Sequence, residues 1–544
     1  MSSSVRHVRR TAAGALLAIA LVLPQPPAAA QELRDLRTPL EESGFQRYTS
    51  HEEMWDYLLA LRARSTDMRL GSYGESREGR ALPYAIFSRP LISTPHEAAL
   101  LGRPVVVLAA NVHGGERTFR ESLLILLRDI ATPGTPGNRL LDDMVIIAAP
   151  QLNPDGFEAT PRGQRGNAWG IDLNRDYIKL GHPEIEHYVG NILNHWNPHL
   201  FVDGHNGGAF PYNVAYQCPS HASPDQRITE LCDNEIFPAI DRALEAQGFM
   251  SWYFNVGTPT EERWPVGGNQ ARIARNYGGF VNSIGILFES PGWQETEPAV
   301  RSGYIALRAV LDYVQRNPDR IVATVNRARR ETIAMGLAAQ GDVPVTMEYG
   351  PQDRRVDYKI AVGEGADRRI IQVRNALLMS RPIATKTRPR PFAYILPRDA
   401  VAAVAMLQRH GIVIEQLQDS VRLEVQAYTV GAVTYAPEYN HAATVRITVG
   451  DVITTTRTFP RGTYVVPTGQ VLGRVVAHML EPETDDNVIH WNTMDAWLPR
   501  PASATAQDRA GEDEAARAGR QQDPPLVPIF KLMTPQGLPT KVLR

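Results

Sequence analysis

The sequence predicts an α/β fold, a mostly parallel mixed sheet flanked by helices, followed by a smaller β-rich C-terminal domain. Two observations carry that expectation. Continuous apolar runs of strand length, Pro104 to Ala110 (PVVVLAA), Met144 to Ala149 (MVIIAA) and Ser283 to Phe288 (SIGILF), alternate with helical stretches. Strands that are apolar on both faces are those covered by helices on both sides, the usual state of a parallel sheet. From about residue 340 the texture changes to short runs rich in Val, Ile and Thr, which suit a pleated, half-buried surface.

Each element follows from local pattern. His51 to Arg64 carries Met54, Tyr57, Leu58 and Leu61 at helical spacing and reads as an amphipathic helix. Met68 to Arg89 sets Gly74-Glu75-Ser76 and Gly79-Arg80 between alternating apolar residues, the mark of a hairpin. Helices are expected at Thr118 to Ile130 and Tyr304 to Gln315, with a short strand at Leu200 to Asp203 (LFVD). This first domain spans residues 45–335. The second, residues 340–500, has strand-like runs at Val345 to Tyr349, Val421 to Thr429 and Thr444 to Thr455, and a helix-like stretch at Ala400 to His410. Residues 500–525, rich in Ala, Arg, Asp, Glu and Gln, are expected to be disordered. The tail, 526–544, recovers apolar character in Leu526 to Met533 (LVPIFKLM) and can return as a strand.

Composition bounds the function. A chain of 544 residues, 43% hydrophobic and 21% charged, is a soluble globular protein of more than one domain. A net charge of −2 gives no electrostatic footprint for nucleic acid or anionic lipid. Residues 1–30 have the three parts of a secretory signal: Arg6, Arg9 and Arg10, then apolar Ala12 to Leu23, then Ala28-Ala29-Ala30. The apolar run is shorter than the roughly 20 residues that span a bilayer, so the expectation is cleavage near Ala30 and a secreted or periplasmic product without stable membrane insertion. Residues 31–44 are too few for a folded inhibitory domain, so activity is expected once the leader is removed. The two cysteines, Cys218 and Cys232, either pair across a short loop or remain reduced in the core.

The chemistry-bearing residues sit at strand ends. His113 and Glu116, three apart, follow the first buried strand, and a His nitrogen and a carboxylate suit one zinc ion. The spacing alone says little: a second copy, His478 and Glu481, occurs in the C-terminal domain and reads as a solvated helix face. Position separates the two, because ligands of open α/β sheets bind beyond the carboxyl ends of the strands. His205 follows the LFVD strand, and Glu289 terminates SIGILF, a run with no polar residue after Ser283. A buried strand finishing in a carboxylate calls for a partner or a task.

The order His-x-x-Glu, Asn-Pro-Asp-Gly, Arg-x8-Asn-Arg, His, and Glu at a strand end resembles the zinc metallocarboxypeptidases of the carboxypeptidase A/B group. The stretches are Asn111 to Glu116 (NVHGGE), Asn153 to Phe157 (NPDGF), Arg165 to Arg175 (RGNAWGIDLNR), Asp203-Gly204-His205 and Ile286 to Glu289 (ILFE), with Gly74-x-Ser76-x-x-Gly79-Arg80 upstream. The resemblance covers roughly residues 45–315 and implies a carboxypeptidase-like fold with one zinc ion per chain. It implies that His113, Glu116 and His205 bind the metal, and that Asp172 accepts the other N–H of a ligand histidine. Glu289 is then the general base, and Arg165 stabilises the oxyanion. Asn174 and Arg175 grip the free carboxylate of a peptide substrate.

One part of the family pattern is missing. A mobile tyrosine usually precedes the catalytic glutamate by about twenty residues, but Arg263 to Gln270 (RWPVGGNQ) holds none, leaving Trp264, Tyr253 and Tyr277 as substitutes. The resemblance also places a side-chain pocket within Asn269 to Tyr277, where Arg272 or Arg275 pointing inward would favour an acidic terminal residue. Two other functions compete with C-terminal trimming. The same zinc chemistry could cut another amide, such as a cell-wall peptide or an acyl-amino acid, although Asn174 and Arg175 favour a free carboxylate. A non-catalytic binding protein on the same fold would have no need of Glu289.

Overall fold

The computed structural model describes residues 28–160, 163–363, 367–438, 441–499 and 525–543. Most of the expected leader (1–30) and all but the last residue of the expected disordered stretch (500–525) lie outside the described residues. The first domain is built on β1 (Met68–Glu75), β2 (Ala81–Phe87), β3 (Val105–Ala110), β4 (Val145–Ala149), β5 (Leu200–His205), β6 (Val214–Gln217), β7 (Ser251–Tyr253), β8 (Arg263–Pro265) and β9 (Ile284–Glu289). Eight of these form one mixed sheet in the order β1-β2-β4-β3-β5-β9-β6-β7. Its centre, β4-β3-β5-β9, is parallel, while β1, β2 and β6 add antiparallel pairings toward the edges. Strands β6 and β7 are short and were not legible as periodic runs.

Successive side chains of a strand point to opposite faces, and both faces here are buried. Val106 and Leu108 of β3 join one apolar cluster with Leu58 of the helix His51–Arg64, Phe119 and Leu123 of Thr118–Ala131, and Val310 of Thr296–Arg316. Val105, Val107 and Ala109 join the other, with Tyr188, Ile192, Tyr277 and Phe280. That two-sided burial is why the runs PVVVLAA, MVIIAA and SIGILF have no polar alternation. The disulfide Cys218–Cys232, Cα–Cα 6.4 Å, ties the segment after β6 to the following helix. Among the described residues, no helix is long and apolar enough to cross a membrane.

The C-terminal region contains β10 (Asp342–Gly350), β11 (Val356–Val362), β12 (Arg369–Met379), β13 (Arg381–Pro389), β14 (Ala393–Leu396), β15 (Glu415–Leu417), β16 (Val421–Glu438), β17 (His441–Phe459), β18 (Tyr464–Pro467), β19 (Phe530–Leu532) and β20 (Thr540–Val542). Seven of these form a second sheet, with β19 lying between β16 and β14. The region is not a detached module. Its Tyr394, Leu407 and Val476 belong to the same apolar cluster as β3, and β12 pairs in parallel with β8 of the first domain.

The structure corrects one expectation here. His478 and Glu481 are not on a solvated helix face; they are 1% and 0% exposed. Glu481 accepts hydrogen bonds from the hydroxyls of Tyr394 and Tyr428, both at 2.7 Å, and pairs with Lys531 Nζ at 2.5 Å. These partners come from β14, β16 and β19, far apart in sequence, so no local spacing reveals that the carboxylate is internal. Removing one member of a buried ion pair leaves the other uncompensated, at about 3–5 kcal/mol. Glu481→Ala is therefore expected to destabilise the fold by about that amount in denaturant melts; a loss below about 1 kcal/mol would contradict the assignment.

Candidate metal centre

The site forms where β3, β5 and β9 end together. In register, Ala110 of β3 faces Gly204 of β5, and His205 faces Glu289 of β9. Asn111, at the turn out of β3, takes φ 62°, a conformation that asparagine tolerates better than most residues. Its Nδ2 donates to the carbonyls of His113 (3.0 Å), Gly114 (3.1 Å) and Glu116 (2.8 Å), folding the loop around one amide. A Cβ on Gly114 would lie 2.0 Å from the Gly156 carbonyl carbon, so that position has no room for a side chain.

The Asn-Pro-Asp-Gly segment braces this loop from behind. Asn153 Nδ2 donates to the Val112 and Gly166 carbonyls, both at 3.1 Å. Asp155 accepts from Ser76 Oγ and Arg80 Nη1, both at 2.7 Å, which joins the upstream Gly-x-Ser-x-x-Gly-Arg segment to the site.

His113, Glu116 and His205 offer ligand atoms that all lie within 4.8 Å of one another. His113 Nδ1 and His205 Nδ1 are 3.2 Å apart, and each is 2.9 Å from a Glu116 carboxylate oxygen. The far nitrogens are occupied: His113 Nε2 meets Asp172 Oδ1 at 2.9 Å, and His205 Nε2 meets Asp203 Oδ2 at 2.7 Å. A neutral ring that donates from Nε2 presents a bare lone pair at Nδ1. Two such lone pairs and a carboxylate turned inward repel one another until a cation sits among them. Two imidazoles and one carboxylate are a donor set suited to catalytic zinc, so the residues fit that ion.

Without a cation the carboxylates favour proton binding by the rings instead: burial lowers His205, but Asp203 and Glu116 outweigh it and hold the ring well above its ordinary value. Burial raises the Glu116 carboxyl, but the charges and hydrogen bonds of His113 and His205 outweigh it and leave it well below the usual range. Asp172 is likewise raised by burial and held down more strongly by His113 and Arg165. Burial pushes Glu289, 8% exposed, up to about 7, against the pull of His205 and with the added repulsion of Glu116. Gly207 is required beside it, since a Cβ there would fall 2.5 Å from Glu289 Oε2.

The remaining expected residues surround this centre. Arg165, its side chain 54% exposed, has Nη1 at 3.3 Å from Glu116 and Nη2 at 3.0 Å from Asp172. Asn174 directs Nδ2 to within 3.4 Å of His205 Nε2, and its Oδ1 accepts from the Ala274 N–H at 2.9 Å. Arg175 donates to the Asn174 carbonyl at 2.8 Å. Arg272 turns away, pairing with Asp486 (2.7 Å) and Glu438 (3.2 Å) of the C-terminal region. Trp264, Tyr253 and Tyr277 are all buried, and the two tyrosine hydroxyls are engaged by Asp233 and by Asn194 with His410. Sequence reasoning missed Asp203. The available signal was its spacing of two from His205 on one strand, which puts both side chains on the same face.

Residues 54–280 match the zinc carboxypeptidase family model. Among its relatives, carboxypeptidase 2 of Trichophyton rubrum is 26% identical over 468 residues, 81% of this chain and 83% of that protein. Carboxypeptidase D of Homo sapiens is 30% identical over 247 residues, 37% of this chain and 18% of that protein. Among solved structures, a metallo-carboxypeptidase from Burkholderia cenocepacia aligns with TM-score 0.40 and 19% identity, over 49% of this chain and 70% of that one. The carboxypeptidase A from Helicoverpa armigera aligns with TM-score 0.40 and 17% identity, over 55% and 81%. The family-model match and the 26% identical relative support a metallocarboxypeptidase, of a family that is zinc-dependent. The matched zinc carboxypeptidase residues end before Glu289.

Carboxylates that hold the far nitrogen of a metal ligand typically change affinity 10–100-fold. Asp203→Asn should weaken zinc binding by about that factor in chelator competition; unchanged affinity would show that the Asp203–His205 contact does not serve the metal.

Proposed function

We propose that this chain is an exported peptidase that removes the C-terminal residue of peptides, with Glu289 as general base. The observation that supports it is the convergence of His113 Nδ1, His205 Nδ1 and the Glu116 carboxylate on one point, beside the strand end that carries Glu289. His113, His205 and Glu116 would hold the zinc ion. Bound there, zinc supplies Lewis acidity toward a water molecule and a substrate carbonyl.

The protein groups then divide the remaining work. Burial raises the Glu289 carboxyl above its ordinary range, the direction that suits a group that must both take and give up a proton. Glu289 takes a proton from the attacking water and delivers it to the leaving amine nitrogen. Arg165, beside Glu116 and open to solvent, is positioned to donate to the oxyanion. Asn174 and Arg175 receive the terminal carboxylate, for which the planar guanidinium fork is suited.

Export is supported by the three-part leader in residues 1–30 and by the Cys218–Cys232 disulfide, which fits an oxidising compartment. A second reading, the same centre acting on another amide, is favoured by the burial of Trp264, Tyr253 and Tyr277, which leaves the family's capping residue without a substitute among them.

Glu289→Gln is expected to lower kcat on short peptides by about 1,000-fold while zinc content is unchanged; a variant as active as wild type would overturn the mechanism. Chelation should abolish hydrolysis, and added zinc should restore it. Mass spectrometry of the products should show release of the free C-terminal amino acid. Cleavage only of cell-wall peptides or acyl-amino acids would favour the second reading.

A further inference from the structure

The second His-x-x-Glu of the chain is split by the fold. Glu481 is held by Tyr394, Tyr428 and Lys531, whereas His478 lies against the first domain. Its ring meets that of His221 edge to face, centroids 5.4 Å apart, and both rings pack on Phe280 at 4.8 Å. His478 is 1% exposed, yet neither Nδ1 nor Nε2 has a hydrogen-bond partner. Nε2 approaches Asp485 Oδ1 at 3.2 Å without hydrogen-bond alignment. A simple ion pair would align that contact, and would still leave Nδ1–H buried beside a second imidazole. Buried polar groups left in this state call for a water or an ion.

Ligand atoms of His221, His478 and Asp485 all lie within 4.8 Å of one another. Two imidazoles and a carboxylate are a donor set that suits zinc. The supports are rigid. Thr484 Oγ1 donates to the carbonyls of His478 (2.6 Å) and Glu481 (2.9 Å), and Asn487 Nδ2 to those of Pro482 (3.1 Å) and Thr484 (2.7 Å), which fixes the turn carrying Asp485. Before His221, the Ser220 N–H donates to Asn276 Oδ1 at 2.8 Å. Arg272 donates to the Asp485 carbonyl at 2.9 Å, but its charge is met by Asp486 and Glu438. The Ser223 N–H donates to His221 Nδ1 at 3.0 Å, leaving Nε2 as the ligand nitrogen. Coordination there puts the ring proton on Nδ1 and gives up that contact, one hydrogen bond against a metal–nitrogen bond. His221 and Asp485 also line a cavity of 450 Å³ whose wall comes from both domains, an entry path for an ion and room for water beside it.

We propose that His221, His478 and Asp485 hold a second zinc ion, which ties the C-terminal region to the first domain. His221 lies in the first domain, beyond β6; His478 is on the helix Gly473–Leu480, and Asp485 follows it. An ion ligated from both sides favours the docked arrangement, because its binding free energy adds to that of the fold. The proposal is independent of the peptidase reading, which uses none of these residues.

Metal analysis of the full chain, loaded with zinc and freed of excess by gel filtration, tests it. Wild type should carry two zinc ions per chain. His205→Ala, which disables the first centre, should still carry one. In chelator competition, His221→Ala should weaken the second ion by more than the roughly 10–100-fold typical of losing an outer partner. Should that variant fail to fold, Asp485→Ala decides, since its side chain is 44% exposed. It should weaken the second ion by a similar factor and leave peptide hydrolysis unchanged. One zinc per wild-type chain, or a second ion held as tightly in Asp485→Ala as in wild type, would overturn the proposal.

Discussion

Each of two imidazoles is fixed at its far nitrogen by a carboxylate: His113 by Asp172, and His205 by Asp203. With Nε2 committed, each ring turns Nδ1 toward the other and toward Glu116. Carboxylates in that position fix both tautomer and ring orientation. Asp203 and His205 share one strand, whereas Asp172 belongs to a loop 59 residues beyond His113. The site therefore depends on the Arg165–Arg175 loop folding back over the sheet.

The parallel centre of the sheet brings these parts within reach. Parallel strands end on the same side, so β3, β5 and β9 discharge their loops at one edge. Side-chain amides tie the neighbouring loops together. Asn111 gathers three carbonyls of the His113–Glu116 turn, and Asn153 ties that turn to Gly166. Glycines at 114 and 207 leave the space that the Gly156 backbone and the Glu289 carboxylate fill. On the far side the C-terminal region closes against the first domain through a common apolar cluster and through Tyr349.

Much of this was legible in the sequence because burial imposes pattern. Runs such as PVVVLAA and SIGILF become strands β3 and β9, and the helix at His51–Arg64 follows from its apolar spacing. The separated motifs fall at the ends of those strands. Features set by distant partners were hidden. Glu481 looked like a solvated acid because Tyr394, Tyr428 and Lys531 are remote in sequence. Arg272 and Arg275 are indistinguishable in the sequence; the fold pairs Arg272 with Asp486 and Glu438, and turns Arg275 to the Gly268 carbonyl. Strands β6 and β7, four and three residues long, are too short to show a period. The pairing of Cys218 with Cys232 depends on a fold that the spacing alone does not specify.

The most direct test of the central claim is a crystal of the zinc-loaded protein measured across the zinc absorption edge. One anomalous peak should lie among His113 Nδ1, His205 Nδ1 and the Glu116 carboxylate, about 2.0–2.2 Å from each. No peak at this position with zinc in excess would contradict it.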